Sequence, residues 1–215
     1  MAEKILLNFK TDSVNYLCSK DKRLAKLIAM IGEITYVPHD DGYSFLVHEI
    51  IEQMLSMKAG QKIYARLVDL CNGNVDVNTI SALADSELRT IGTSKAKADC
   101  IQAITQCIRE RKLCLEELSD LDDSEVIRRL TSVKGIGTWT AKMYLIFVLN
   151  RQNVLPYEDG AFLQTYRWLY KTEDTSKQAI IKKCKKWTPY SSIAARFMYR
   201  ALDTGLIKEE FHLYK

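Results

Sequence analysis

The stretch Leu130–Leu149, LTSVKGIGTWTAKMYLIFVL, decides how the chain is read. Two glycines flank Ile136, and a nearly all-apolar run follows. Upstream, Asp122–Val133 sets Val126, Ile127, Leu130 and Val133 on one helical face, and Asp122 and Glu125 open it at capping-box spacing. About four residues separate this helix from the next, the size of a tight αα-hairpin turn. Gly135 and Gly137 allow positive φ and bring the backbone close to whatever lies outside. The N–H groups at Gly135, Gly137 and the start of the next helix then form a nest that favours an anion, phosphate first among biological ones. Lys134 adds a positive charge, and Ile136 can tuck back between the helices. A glycine-rich connection that binds nothing would carry the same residues.

Composition narrows the class. The chain has 215 residues, 47% hydrophobic and 27% charged, with nine glycines and three prolines. So few turn formers argue against an all-β protein and for a helical one. A net charge of +4 permits a nucleic-acid partner without requiring it. Cys100, Cys107 and Cys114 recur every seven residues, as buried thiols on one helix face would. No CxxC pair occurs and the histidines are scattered, so no side-chain metal or cluster site is expected. The first residues lack a signal peptide's apolar run, and no uncharged run is long enough for a bilayer. The expectation is a soluble protein of the cytoplasm, or of the nucleoid or nucleus, with no membrane partner.

Along the chain, EKILLNFK is a candidate strand, and SKDKRLAKLIAMIG a helix stopped by Gly32. Residues 33–44 read as a loop. In YSFLVHEIIEQMLSM, Leu46, Val47, Ile50, Ile51, Met54 and Leu55 form a continuous apolar stripe. Asp85 is a candidate cap for SELRTIG, and Ser94 for KAKADCIQAITQCIRER.

The hairpin and its surroundings resemble the HhH-GPD superfamily of DNA glycosylases, and within it the 3-methyladenine DNA glycosylase II family. FLVHEIIEQMLSMKAGQKIYARLVDL is similar to that family's opening helices, and LADSELRTIGTSKAKADCIQAI to its Ser-x-Lys-Ala segment. VLPYEDGAFLQTYRWLY resembles its Leu-Pro-x-x-Asp segment, and KWTPYSSIAARFMYRAL its closing helix. The matches run in order from about Leu24 to Leu202. The resemblance implies an all-α, two-lobed architecture. One lobe would span residues 43–153 and hold the helix-hairpin-helix at about 124–149. Residues 1–42 plus 154–215 would form the other, with the active-site cleft between them. Only about forty residues precede the matching helices, so a family member's N-terminal β-rich domain would be at most a remnant strand region here.

The implied activity is base-excision repair of double-stranded damaged DNA, by flipping an alkylated purine such as 3-methyladenine and hydrolysing its glycosyl bond. That cleavage builds positive charge on the deoxyribose. The resemblance assigns the stabilising carboxylate to Asp159, which could equally be a plain helix cap; Glu158 lies one position off the pattern. Superfamily members that form a Schiff base carry a lysine just after Gly-x-Gly. Here Thr138-Trp139 stands there, with Lys142 a turn later, which implies a monofunctional enzyme that leaves an abasic site. Trp139 resembles the base-pocket aromatic, whose face suits a cationic purine, and Tyr157 and Tyr190 are further pocket candidates. Lys134, Gly135, Ile136, Gly137, Thr138 and Thr140 are the implied DNA-binding residues. Gln53 and Met54 are implied as the intercalating wedge; Met54 stands where the family has a second glutamine. No cofactor is implied beyond a monovalent cation at the hairpin carbonyls. Lys182, Lys183, Lys185 and Lys186 form a basic cluster that reads as a phosphate-contacting or a solvated face. Trp187 and His48 read as structural, His48 with no evident carboxylate partner. Monomer is the default. A non-catalytic helix-hairpin-helix DNA-binding protein, or a glycosylase for a deaminated or oxidised base, are the competing readings.

Overall fold

The structure is a computed structural model that describes residues 3–214, apart from the side chain of Met57. Among these, the chain forms β1 (Ile5–Leu7), α1 (Asp12–Lys20), α2 (Lys22–Ile31), β2 (Ile34–Tyr36), α3 (Gly42–Glu52) and α4 (Met57–Leu70). There follow α5 (Val77–Ser81), α6 (Asp85–Thr90), α7 (Lys95–Arg109), α8 (Asp123–Thr131) and α9 (Thr138–Phe147). Last come α10 (Gly160–Tyr170), α11 (Lys177–Cys184) and α12 (Ser191–Asp203). The fold is all-α, with one two-stranded antiparallel sheet pairing Ile5 with Tyr36 and Leu7 with Ile34. The loop expected at 33–44 thus holds β2, and a helix, α1, precedes the one expected from SKDKRLAKLIAMIG.

Two compact units form: His39–Leu149, and the residues up to Pro38 together with those from Asn150 onward. In the first, α9 is buried on nearly every side, from Thr140 to Ile146, as expected for a helix apolar all round. α3 and α8 pack on it through Leu46, Ile50, Val126 and Leu130, all fully buried. α7 packs on α3, α5 and α6.

In the second unit α2, α10 and α12 pack together through Leu24, Leu27, Phe162, Tyr166, Ile193 and Phe197. At its heart is the buried carboxylate of Asp21, which breaks α1 from α2. Its Oδ1 caps α2 by accepting from Arg23 and Leu24 N–H. Its Oδ2 accepts from Trp187 Nε1 and Lys186 Nζ, each at 3.0 Å, and from the Tyr170 hydroxyl. Trp187 therefore packs as expected, and Lys186, still partly exposed, turns its ammonium to Asp21; Lys182, Lys183 and Lys185 are exposed.

Three local expectations change. Ala84, not Asp85, is the N-cap of α6, because Glu87 reaches back to the Ala84 N–H at 2.8 Å. Asp122 caps α8 through the Glu125 N–H, but Glu125 turns its carboxylate to Arg128 and Arg129 instead of closing a capping box. Those charge-assisted contacts lower its pKa to about 2. α7 ends at Arg109, so Cys114 is off the face that carries Cys100.

Candidate active site

The hairpin turn in the His39–Leu149 unit runs from Ser132 to Gly137, longer than the sequence suggested. Ile136 is buried and its N–H donates to Val133 O at 3.1 Å, which anchors the turn. Only Gly135 is left-handed, at φ +97. Gly137 is the extended N-cap of α9, at φ −97 and ψ 175. The expected nest therefore rests on one positive φ rather than two. What remains is the α9 N-terminus, whose first N–H groups have no acceptor within the helix. Lys134, Gly135, Gly137 and Thr138 are all exposed around it. Thr140 is not part of that surface. It is 1% exposed and its hydroxyl accepts from Gln53 Nε2 at 3.1 Å. Its contribution is internal, a tie between α9 and the end of α3.

The end of α3 differs most from expectation. The apolar stripe predicts a helix through Met54 and Leu55, but the helix stops at Glu52 and Gln53 is its C-cap. Met54 is left-handed at φ 58 and its side chain is fully in solvent, at 101%. Sequence reasoning missed what ends the helix. Lys97, in the first turn of α7, donates to the carbonyls of Ile51 and Gln53, each at 2.7 Å. Burial lowers the pKa of this lysine. The only local sign was a lysine in a helical first turn, where the dipole disfavours it. His48, one turn before Glu52, does have carboxylate neighbours: Glu49 at 3.5 Å and Glu52 at 3.4 Å. The hydrogen bond with Glu49 raises its pKa.

Trp139 is half-buried in the first turn of α9. Lys142, one turn on, is 6% exposed.

The other unit holds the remaining candidates. Pro156 sends the chain into a turn closed by the Asp159 N–H on its carbonyl at 3.0 Å. Asp159 is the N-cap of α10: its Oδ1 accepts from Phe162 N–H at 2.7 Å, and the residue is 8% exposed. Glu158 beside it points to solvent. The cap fixes the carboxylate's direction, which both the structural and the catalytic reading require. Tyr157 is half-buried, with Lys177 Nζ 5.0 Å from its ring centroid. Tyr190 sits edge-on to Tyr16 at 5.4 Å. Asp159 and Tyr157 thus share one turn, whereas Tyr190 lies at the start of α12. Lys177 was not foreseen, since its position above Tyr157 is a tertiary contact.

Residues 47–190 match the model of the HhH-GPD superfamily base excision DNA repair proteins. DNA-3-methyladenine glycosylase 1 of Schizosaccharomyces pombe is 30% identical over 184 residues, covering 83% of this chain and 80% of that protein. The crystal structure of DNA-3-methyladenine glycosidase from Bacillus halodurans superposes with a TM-score of 0.83 at 31% identity, covering 97% of each chain. The S. pombe 3-methyladenine DNA glycosylase Mag1, solved in complex with abasic DNA, gives 0.81 at 27% identity over 95% of this chain and 100% of that one. The hairpin turn on α9, the capped aspartate that opens α10 and this end-to-end likeness agree, and the chain belongs to the HhH-GPD superfamily of base excision DNA repair proteins.

Proposed function

We infer that this protein is a DNA-3-methyladenine glycosylase-type hydrolase that removes alkylated purines from double-stranded DNA. The observation that carries it is the match along nearly the whole chain to proteins named for that activity.

The residues supply a consistent chemistry. A target base in a duplex has to be extruded before it can be attacked, at a cost of a few kcal/mol. The exposed turn at Lys134–Thr138 grips backbone phosphate through the α9 N-terminus. Met54, held out in solvent, fills the space the base leaves. Trp139 in one unit, and Tyr157 and Tyr190 in the other, are the aromatics assigned to the target base, and an indole face attracts a purine made cationic by alkylation. As the glycosyl bond lengthens, positive charge grows on the sugar. The Asp159 carboxylate, held in direction by the Phe162 N–H, stabilises that charge and orients the attacking water. No amine follows the Gly-x-Gly turn directly, and Lys142 is buried, so water is the nucleophile and the product is an abasic site. Backbone carbonyls of the turn would hold any monovalent cation here, which would add positive charge beside the DNA; hydrolysis itself does not pass through it. The protein acts as a monomer on DNA in the cytoplasm or nucleoid. No helix among the described residues is long and apolar enough to cross a membrane.

Incubation of the purified protein with methylated DNA, and with duplexes carrying a deaminated or an oxidised base, tests the reading. Free 3-methyladenine or 7-methylguanine is expected. DNA binding with no base released would leave a non-catalytic hairpin protein, and release of only deaminated or oxidised bases would change the substrate class.

A further inference from the structure

The loop Gln53–Leu55 is held in an unusual way. Met54 is a left-handed non-glycine residue, a conformation that costs about 1 kcal/mol or more and persists only when its surroundings enforce it. Nothing in its own side chain repays that cost, because the side chain lies in water. The enforcement comes from the residues just before it. Lys97 Nζ donates to Ile51 O and Gln53 O, each at 2.7 Å, and so bridges the last turn of α3. Gln53 Nε2 donates to Thr140 Oγ1 at 3.1 Å, on the hairpin helix α9. The last carbonyls of a helix have no partner within it, and a cation there meets the negative end of the dipole. Lys97 reaches this end from the first turn of α7, fixed by the Ser94 cap on its own N–H. That is the unfavourable end of its own helix for a cation. The second contact and the foreign carboxyl terminus offset that placement.

Gly60 on α4 faces the Glu52 side chain at the end of α3. A Cβ there would lie 2.7 Å from Glu52 Cγ and 2.9 Å from its Oε1. α4 thus packs closely on the end of α3, beside the residues whose carbonyls Lys97 holds.

We propose that Lys97 is a positioning residue which, together with the Gln53–Thr140 tether, locks the wedge loop to the hairpin helix so that Met54 is preset for insertion into duplex DNA. Preorganisation of this kind cuts the ordering cost at the moment of binding. The proposal rests on the assignment of Met54 as the wedge. It concerns extrusion of the base, so its effect depends on how firmly the target base is paired. It leaves the hydrolytic step to Asp159.

The test compares single-turnover base release from two duplexes. One carries 7-methylguanine opposite cytosine, and the other carries it opposite an abasic analogue, where no pair has to be broken. Lys97→Met removes the charge and keeps the stem, Lys97→Arg restores a cation, and Thr140→Val removes the tether's acceptor at nearly constant volume. Met54→Ala reports on the wedge itself. Lys97→Met and Thr140→Val are expected to lose roughly tenfold on the paired lesion and much less on the unpaired one, since extrusion costs least where pairing is absent. Lys97→Arg should recover most of the loss. Should Lys97→Met fold poorly, Thr140→Val carries the test alone. A Met54→Ala loss confined to the paired lesion with no such selectivity in Lys97→Met or Thr140→Val overturns the clamp and leaves the wedge standing. Equal loss on both duplexes overturns it too, since it marks a structural role only. No selective loss in Met54→Ala overturns the wedge assignment, and the clamp's purpose with it.

Discussion

A Cβ on Gly135 would stand 2.6 Å from the Sγ of Cys100 and 2.7 Å from its Cβ, so the hairpin turn rests directly on α7. Two separate constraints therefore meet at one glycine: a left-handed φ of +97 and a contact that admits no side chain. Gly137 has neither, for its φ is −97 and nothing lies within 4 Å of the added atom. Gly135→Ala is expected to cost about 1–3 kcal/mol in urea denaturation through overpacking and strain. Gly137→Ala should stay within about 1 kcal/mol of wild type while weakening DNA binding, because its methyl group would stand where the backbone meets phosphate. Equal stability of the two variants would contradict the packing account.

The network at Asp21 predicts an acid limb in stability. Burial alone would raise this carboxyl's pKa, but hydrogen bonds from Tyr170, Lys186, Trp187 and the Leu24 N–H outweigh it and hold it below the ordinary value. Burial and the Asp21 charge together push the Tyr170 hydroxyl far up. A carboxyl with a lowered native pKa stabilises the fold above its unfolded value of about 3.9, and the benefit is lost as pH falls through the native value. Asp21→Asn should cost about 3 kcal/mol near neutral pH, since it leaves a lysine and buried donors poorly matched. It should also flatten the acid side of a stability–pH curve measured by denaturant midpoint.

The contrast between these two sites tells how far the sequence could be read. The hairpin was legible because Gly-Ile-Gly between two apolar helical runs is a local signal, and Ile136, Ser94 and Gly32 do what their types suggest. The Asp159 cap was legible for the same reason. What was not legible depends on partners distant in sequence. The apolar period through Met54 and Leu55 is unbroken in the sequence, yet α3 ends at Glu52, three residues before Leu55, where Lys97 takes the carbonyls of Ile51 and Gln53. Thr140 looks like a hairpin surface residue until Gln53 is seen on its hydroxyl. Lys186 belongs by sequence to a lysine cluster and by structure to Asp21. β2 is too short for alternation to register, and only its pairing with β1 defines it.

Trp139 predicts a charge-selective effect. If its indole face attracts a cationic base, Trp139→Ala should slow release of 7-methylguanine more than release of a neutral purine lesion. The expected difference is about 2- to 30-fold, from a cation–π contribution of roughly 0.5–2 kcal/mol. Single-turnover rates on duplexes carrying each lesion give the comparison, and equal slowing would reduce the tryptophan to a packing residue.

The nucleophile is open to a chemical test. With Lys142 buried and Thr138-Trp139 after the turn, no amine attacks the sugar in this account. Borohydride added during turnover on methylated duplex should trap no protein–DNA adduct, and the product strand should stay intact until alkali cleaves it. A trapped adduct would place a lysine at the anomeric carbon and require a different mechanism.

The most direct measurement is single-turnover release of 3-methyladenine and 7-methylguanine from duplex DNA by wild type and Asp159→Asn, with abasic-DNA affinity measured on both proteins. Asparagine can still accept the Phe162 N–H, so the α10 cap is kept while the negative charge is lost. Base release should fall by about 100-fold or more, the scale of a lost charge-stabilising or general-base group, with folding intact. An undiminished rate in Asp159→Asn would contradict the account at its centre.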